Sequence, residues 1–302
     1  MPVARRTRAC DGHGTGSGAA VPGVQIRRLE AADLDAAART SASAFALDVS
    51  EPSTADRWRA RVAHPVSTDP DGAFVADRDG RVIGVAQAIR RERLWCLSLL
   101  AVAPDAQTSG AGRALLDRAL AYGAGADAGL IPSSSDPRAL RLYAFAGFSV
   151  LPTFEAVGAI DRSALPRADP KVREAGLADL EALAAIARDI RGAPHTLELE
   201  FALRSGARLM RLGDRGYAVA TPGRGVWLLV AYDEAAAAAL LWSALALDDD
   251  AERPSVRWIT AEQQWAVEVV LRAGLRLVPS GALCVRGLPG PLRPFLPSGP
   301  FA

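Results

Sequence analysis

A glycine-rich stretch in the first half of the chain lies between an apolar run and a run with helical spacing. It reads LLAVAPDAQTSGAGRALL over residues 99–116 and places Gly110 and Gly112 at the strand-to-helix turn. The first N–H groups of a helix lack partners within the helix and lie at the positive end of its dipole. Glycine lets an anion come close, and Arg113 adds a cation. The pattern indicates a diphosphate site, although a Gly-x-Gly before a helix is also common in turns that bind nothing.

A second motif follows at residues 136–148, which read DPRALRLYAFAGF. Asp136 suits the N-cap of a helix and Pro137 suits its first position, while the glycine near the end suits its termination. The helix carries Tyr143, whose phenol could donate a proton. Packing of the Tyr143 ring in the core, with its hydroxyl hydrogen-bonded, is the alternative.

The elements that must position these motifs follow from periodicity and turn signals. Strands are expected at 24–29, 72–77, 82–89, 94–102, 129–131 and 148–159, and helices at 32–46, 52–62, 112–121 and 136–145. The Asp79-Gly80 pair between the second and third strands is a hairpin turn signal. The order β-α-α-β-β-β-α-β-α-β predicts an α/β (α+β) fold.

The second half repeats sequence patterns of the first half. Residues 172–181 resemble residues 26–35, and residues 274–275 resemble residues 147–148. An internal duplication explains both matches. We therefore divide the chain into consecutive segments. They are a disordered tail at 1–23, a first domain at 24–160, a linker at 161–170, a second domain at 171–286 and a proline-rich tail at 287–302.

Composition narrows the classes of partner. Lys plus Arg number 35 against 34 Asp plus Glu, a net charge of +1, which leaves no basic surplus for nucleic acid. No window is apolar over the roughly 20 residues that span a bilayer, so we expect no membrane insertion. The three cysteines and three histidines are scattered, which argues against a metal site and fits a cytoplasmic protein. The sequence is also compatible with a homodimer.

Together the two motifs resemble the signatures of the GNAT superfamily of acyl-CoA-dependent N-acyltransferases. The family pattern V-x-P-x-x-(Q/R)-x-x-G-x-(G/A) resembles Val102, Pro104, Gln107, Gly110 and Gly112. Its pattern N-x-x-A-x-x-L-Y-x-x-x-G-F resembles Asp136, Ala139, Leu142, Tyr143, Gly147 and Phe148. The resemblance implies two tandem GNAT-like domains, each with a mixed, mostly antiparallel sheet flanked by helices.

The resemblance further implies acetyl-CoA as cosubstrate, with its pantetheine against the backbone of residues 100–102 and its diphosphate at residues 107–113. The candidate cofactor-binding residues are Leu100, Ala101, Val102, Gln107, Thr108, Ser109, Gly110, Ala111, Gly112, Arg113, Asp136 and Ala139. It also makes Tyr143 the general acid for the departing thiolate. Asp136 departs from the usual Asn but is an equally good N-cap, although its charge could alter contacts to CoA.

A general base is harder to assign, because the strand at residues 94–99 carries no acid. Glu92, Glu155 and the terminal carboxylate of Ala302 are candidates, but surface solvation explains the two glutamates equally well and fraying explains the terminus. Cys96 in an apolar strand is expected to be inert packing rather than a nucleophile. Direct attack by the amine in a ternary complex is therefore favoured.

The second domain is expected to lack the cofactor site. An offset of 127 residues matches Gly110 and Gly112 to Ala237 and Ala239, Gln107 to Glu234, and Tyr143 to Val270. Asp233 and Glu234 would favour the start of the helix at 234–246 through its dipole but would repel a diphosphate there.

We therefore expect an N-acetyltransferase that acts on a primary amine of a small molecule. Its acceptor pocket is expected from residues 45–58 and the Phe154-Glu155 segment, where Asp48, Glu51 and Glu155 could attract an ammonium group. Two alternatives stay open, a longer acyl-CoA as donor and a non-catalytic acyl-CoA sensor or assembly module. The identity of the amine does not follow from the sequence.

Overall fold

The computed structural model describes residues 22–247, 255–287, 292 and 294–301. The first half contains strands β1 (Gln25–Arg28), β2 (Ala73–Arg78), β3 (Arg81–Arg91), β4 (Leu94–Val102), β5 (Ala128–Ser133) and β6 (Ser149–Val157). Its helices are α1 (Leu34–Ala44), α2 (Pro52–Thr68), α3 (Ala111–Tyr122) and α4 (Pro137–Phe145). The expected order of elements is confirmed, while α2 continues through Pro65 beyond the predicted end at residue 62.

The second half repeats the same order. Its strands are β7 (Val172–Ala175), β8 (Arg208–Leu212), β9 (Gly216–Thr221), β10 (Gly225–Ala231), β11 (Ser255–Ile259) and β12 (Arg276–Arg286), followed by a short β13 (Phe295–Leu296). Its helices are α5 (Leu180–Arg191), α6 (Thr196–Arg204), α7 (Glu234–Leu245) and α8 (Gln264–Arg272). The internal repeat predicted from sequence is thus visible element by element.

All thirteen described strands belong to one sheet, in the order β1-β2-β3-β4-β5-β12-β6-β11-β10-β9-β8-β7, with β13 beside β10. Reading this order from either end visits equivalent strands of the two halves. The two parallel pairs, β4 with β5 and β10 with β11, are also equivalent. The mixed, mostly antiparallel sheet expected for each half is therefore present, and the two sheets join edge to edge.

The join is an exchange of the sixth strand of each half. β12 lies between β5 and β6 and is antiparallel to both, while β6 lies between β12 and β11. The register of β12 against β6 shifts between Pro279 and Ala282, and Gly281 there has a φ of 61°. A Cβ at Gly281 would lie 2.1 Å from the carbonyl oxygen of Ser133, so the close approach of β12 to β5 requires glycine.

Helices cover both faces of the sheet. α1 and α2 pack on one face against a core that includes Val75, Val85 and Leu99, and α3 packs on the other face against a core that includes Leu97. The halves also meet through a buried ion cluster, in which Arg91 contacts Asp69 at 2.9 Å and Glu198 of α6 at 2.6 Å. Each partner lies on a different element, so the cluster ties α6 to the first half.

The segments outside the two repeats behave differently. Residues 161–170 carry only one short 3-10 helix, Arg162–Ala164. In the proline-rich tail, Leu292, Phe295, Leu296 and Phe301 are buried. The N-terminal segment predicted to be disordered lies outside the described residues up to position 21, and Ala302 also lies outside them.

Candidate active site

The strand β4 has one open edge in the first half. It pairs with β3 along its whole length, but with β5 only from Leu94 to Cys96. Beyond Cys96 the two parallel strands diverge, which leaves the backbone groups of β4 toward β5 without a strand partner. Leu100, Ala101 and Val102, the residues predicted to meet pantetheine, lie on this open part.

The turn after β4 has the geometry of an anion site. Gly110 is the N-cap of α3 with a φ of 90°, and Thr108 has a φ of 68°. The N–H groups of Gly112 and Arg113 lie in the first helical turn, where no partner exists within the helix. A Cβ at Gly112 would only make ordinary contact with Val102 Cγ2 at 3.5 Å, so the fold does not demand glycine at this position. Space for a ligand explains it better.

A cavity of about 570 Å³ opens at this turn, between α3 and α4. It brings together most of the predicted cofactor residues, namely Leu100, Val102, Gln107, Thr108, Gly110, Gly112, Arg113, Asp136 and Ala139. Ser109 and Ala111 belong to the same turn without lining the cavity, although the Ser109 hydroxyl donates to the carbonyl oxygen of Ala106 at 2.7 Å. The predicted set therefore converges on one groove.

Two cationic residues of this groove, Arg138 and Arg141, were missed by sequence reasoning. Arg138 donates from Nη1 to Gln107 Oε1 at 2.7 Å and pairs with Asp136 at 2.7 Å. Arg141 lies with its Cζ 4.6 Å from the centroid of the Phe145 ring. Their spacing of three residues on α4 was the available signal, because residues i and i+3 of a helix share a face. With Arg113 they make the groove electropositive, as a diphosphate requires.

Asp136 is the N-cap of α4, as predicted. Its carboxylate accepts from the backbone N–H of Arg138 at 2.8 Å. Hydrogen bonds from the Arg138 guanidinium and from its backbone N–H lower the pKa of Asp136, and they outweigh the desolvation that would raise it. The carboxylate is thus ionised and paired with Arg138 of the same helix, and this pairing limits its repulsion of an anionic ligand.

Tyr143 lines a second cavity of about 540 Å³ that shares Leu100, Val102 and Gln107 with the first. The residue is buried, and burial raises the pKa of its phenol well above the ordinary value, with smaller contributions from Cys284 and Asp136. No hydrogen bond to the Tyr143 hydroxyl occurs among the described residues. A neutral phenol with an unused proton can donate it to a developing thiolate.

Glu92, Glu155 and Cys96, which were considered as bases or nucleophile, do not line this cavity. Glu92 pairs with Arg188 at 2.6 Å and Glu155 with Arg257 at 2.7 Å. Cys96 is buried, and burial raises the pKa of its thiol to about 11, so it stays protonated near neutral pH. Asp48 and Glu51 are exposed and do not line the cavity, although Phe45 of the predicted acceptor region does.

The connection equivalent to this turn is shorter in the second half. β10 ends at Ala231 and α7 begins at Glu234, whereas residues 103–110 separate β4 from α3. The helix starts therefore correspond at an offset of 123, which corrects the expected match of Gly110 and Gly112 to Ala237 and Ala239. The corrected offset places Asp233 opposite Gly110 and Ala235 opposite Gly112. Asp233 caps α7 by accepting from the N–H of Ala236 at 2.9 Å. The connection is thus short, and the Asp233 carboxylate lies at the start of α7, where the first half has its glycine turn.

The C-terminal tail lies between β10 and β11 of the second half. β10 pairs with β11 only at Gly225 and Val226, and then β13 pairs antiparallel with β10 at Leu229 and Val230. The equivalent edge of β4 in the first half is the open one. β13 also contacts β11, so the tail lies where those two strands diverge.

Side chains before α8 hold the tail in place. Gln263 donates to the carbonyl oxygens of Leu292 at 2.8 Å and Phe295 at 3.0 Å, and Glu262 accepts from the N–H of Leu292 at 2.9 Å. Backbone hydrogen bonds that a pantetheine arm could make are thus satisfied by the chain itself.

None of the helices in the described residues combines the length and apolarity needed to cross a bilayer. Within the same part of the chain, no cluster of three or more His, Cys, Asp or Glu side chains is arranged to hold a metal ion.

Comparisons with known proteins agree with this geometry. Residues 36–148 match the model of the acetyltransferase (GNAT) family. No curated protein sequence matches the chain. Among solved structures, a protein from Pyrococcus horikoshii named as an acetyltransferase shares 18% identity over 96% of both chains, with a TM-score of 0.75.

Two further structures have a similar fold. A tandem GNAT protein from the clavulanic acid biosynthesis pathway shares 14% identity over 89% of this chain and 99% of its own, with a TM-score of 0.59. A GCN5-related N-acetyltransferase from Sphaerobacter thermophilus shares 19% identity over 89% and 98%, with a TM-score of 0.56. Such identities speak for the fold alone. Residues 36–148 thus match the GNAT acetyltransferase family model, within a chain whose overall fold is similar to that of tandem GNAT proteins.

Proposed function

We propose that the first half is an N-acetyltransferase that binds one acetyl-CoA and transfers its acetyl group to a primary amine of a small molecule. The observation that carries this proposal is a pair of adjoining cavities, which share Leu100, Val102 and Gln107. Between them they bring together the glycine turn at residues 108–112, the open edge of β4 and Tyr143. Each part matches one section of the cosubstrate. The turn suits the diphosphate, the strand edge suits the pantetheine amides and the phenol suits the thioester sulfur.

The proposed reaction requires few chemical contributions from the protein. The neutral amine attacks the acetyl carbonyl, a C–N bond forms, and the C–S bond breaks with its electron pair leaving on sulfur. Tyr143 supplies the proton that the thiolate takes up, and the ammonium formed in the attack releases its proton to water. Because no carboxylate lies on the central part of β4, we assign no residue as general base.

The second half is proposed to bind no acetyl-CoA. The two-residue connection from β10 to α7, the Asp233 cap and the tail strand β13 all support this part of the proposal. Each removes a different requirement: space for the diphosphate, a favourable charge and a free strand edge.

Calorimetric titration with acetyl-CoA tests the cofactor site. We expect one site per chain, lost in Gly112→Glu, because the new carboxylate would enter the space left for the diphosphate. Ala235→Glu is the matched control, since this exposed residue has the same position in α7 that Gly112 has in α3. Two sites, or loss of binding in the control alone, would contradict the assignment, and no site would overturn the proposed function.

Turnover with a panel of amines tests catalysis. Tyr143→Phe should lower kcat by about 10²-fold or more while the affinity for acetyl-CoA changes little. Tyr232→Phe is the control, because Tyr232 is exposed and its hydroxyl contacts only Asp189, at 2.6 Å. Equal kcat in the two variants would remove Tyr143 from the mechanism.

A non-catalytic acyl-CoA-binding module is the second candidate. It is favoured by the acceptor-side cavity, where Asp136 is the one carboxylate among the described lining residues and already pairs with Arg138. Binding of one acetyl-CoA without release of free CoA thiol for any amine would select this candidate over the enzyme.

A further inference from the structure

Arg61 of α2 lies beside the cavity that contains Tyr143. Its Nη2 donates to the carbonyl oxygen of Ser98 and to the Ser98 hydroxyl, the latter at 3.1 Å, and its Nη1 donates to Gln87 Oε1 at 3.2 Å. Ser98 lines the cavity. It is also the residue at which the register of β4 against β3 shifts, so a β-bulge turns it out of the ladder. Arg61 is therefore fixed at the cavity by neutral acceptors.

No carboxylate pairs with Arg61 in the described part of the chain. Burial lowers the pKa of its guanidinium to about 10, and no acid lies near enough to raise it again. Arg91 shows the usual arrangement, since this buried arginine is neutralised by Asp69 and Glu198. Arg61 is half-buried, and a cation partly withdrawn from water without a counter-ion is costly to the fold. A charged residue that is present at such a position despite this cost is a candidate for ligand binding.

Aromatic side chains connect Arg61 to the mouth of the cavity. The Cζ of Arg61 lies 5.3 Å from the centroid of the Trp58 ring, and Trp58 packs edge-on against Phe45 at 6.1 Å. Phe45 lines the cavity and is 46% exposed. The described lining residues carry one acid, Asp136, and it is engaged by Arg138. The acceptor side thus offers a positive group and no free negative one.

We propose that the acceptor is an amine that also carries an anionic group, and that Arg61 binds this group. The inference rests on the proposed acetyltransferase function. The planar guanidinium suits a carboxylate or a phosphate, so an α-amino acid and an aminoalkyl phosphate share the required chemistry. A diamine lacks it and would meet the cation with a second cation.

The test compares amines that differ only in the anion. L-Phenylalanine is paired with 2-phenylethylamine, and 2-aminoethyl phosphate with ethanolamine, each with saturating acetyl-CoA. We expect kcat/KM to favour the anionic member by about 10-fold or more in at least one pair, as charge-assisted hydrogen bonds allow. The pair that shows the preference identifies carboxylate or phosphate. Preference for the uncharged members in both pairs would overturn the inference.

Variants separate binding by Arg61 from the basicity of each amine, because that basicity is the same in every variant. Arg61→Met should abolish the preference through KM with a smaller change in kcat, and Arg61→Lys should restore part of it. Arg59→Met is the control on the same helix, since Arg59 is half exposed and pairs with Asp35. An unchanged preference in a folded Arg61→Met, with Arg61→Lys as a second check of folding, would refute the role of Arg61.

A binding measurement keeps this inference distinct from the proposed function. If acetyl-CoA binds and no amine is acetylated, the enzyme proposal fails. Calorimetry with the CoA-saturated protein then compares N-acetyl-L-phenylalanine and N-acetyl-O-phosphoethanolamine with their uncharged counterparts. A preference of about 10-fold for either anion that is lost in Arg61→Met supports an anion subsite without turnover. Equal affinities, or the same preference in the variant, overturn it.

Discussion

The C-terminal tail gives the sharpest test of how the second half is built. Phe295 of β13 is fully buried, its backbone pairs with Val230, and its ring lies 6.3 Å from that of His195. Phe295→Ala removes this ring and leaves the backbone pairing possible. Truncation of a buried phenylalanine costs about 3–5 kcal/mol of unfolding free energy, from lost burial and from the cavity left behind.

Urea unfolding followed by circular dichroism measures this loss. At roughly 2–4 °C per kcal/mol, the same change should lower the Tm by about 6–20 °C in a thermal scan. Phe154→Ala is the control, because Phe154 is 40% exposed and should cost about 1 kcal/mol or less. A loss below about 1 kcal/mol in Phe295→Ala would mean that the tail is not seated between β10 and β11. Acetyl-CoA stoichiometry should stay at one site, since Asp233 still occupies the anion position.

Two other predictions concern pH and the strand exchange. Burial lowers the pKa of His64 to about 4, so the unfolded chain takes up this proton first and the folded state loses stability as pH falls from about 6.5 to 4. Urea unfolding at pH 7 and pH 5 should differ by up to about 2 kcal/mol more in the wild type than in His64→Gln, and equal differences would exclude His64 as the cause. Gly281→Ala should cost about 3 kcal/mol or more, because its Cβ would meet the Ser133 carbonyl oxygen. Gly213→Ala, with a φ of 54° and no atom within 4 Å of its Cβ, should cost only about 1–2 kcal/mol in the same assay, and an equal loss would refute the steric argument.

Local chemistry made much of the first half predictable. The bounds of β4 at residues 94–102 were confirmed, because its apolar run is long and ends at a proline. The Asp136 cap was also confirmed, since an N-cap depends on neighbours two and three residues away. The Gly112 turn and Tyr143 were assigned to one site through the resemblance of both motifs to the GNAT signatures, and that assignment stays a prediction.

Features that depend on residues far apart in the chain could not be predicted from the sequence in the same way. The pattern of β12 is compatible with any antiparallel partner, so nothing in it predicts insertion between β5 and β6. Arg61 shares its residue type with nearly every cation of this chain, and its lack of a counter-ion is visible only once α2 is packed on β4. The acids expected to attract an ammonium group, Asp48, Glu51 and Glu155, do not line the cavity, because a position in the sequence does not fix where a side chain lies.

The exchange of strands explains why a half without a cofactor groove would be kept. Ala282 and Cys284 of β12 pack in the same core as Tyr143, and Cys284 contributes to the raised pKa of its phenol. β12 also pairs with β5 from Gly129 to Ser133, at the wall of the cavity that holds Ser133 and Tyr143. The first half therefore lacks one wall of its own site unless the second half is folded. Under the proposed function the second half contributes a strand to the site rather than a reaction, so the tail strand β13 beside β10 would not interfere with catalysis.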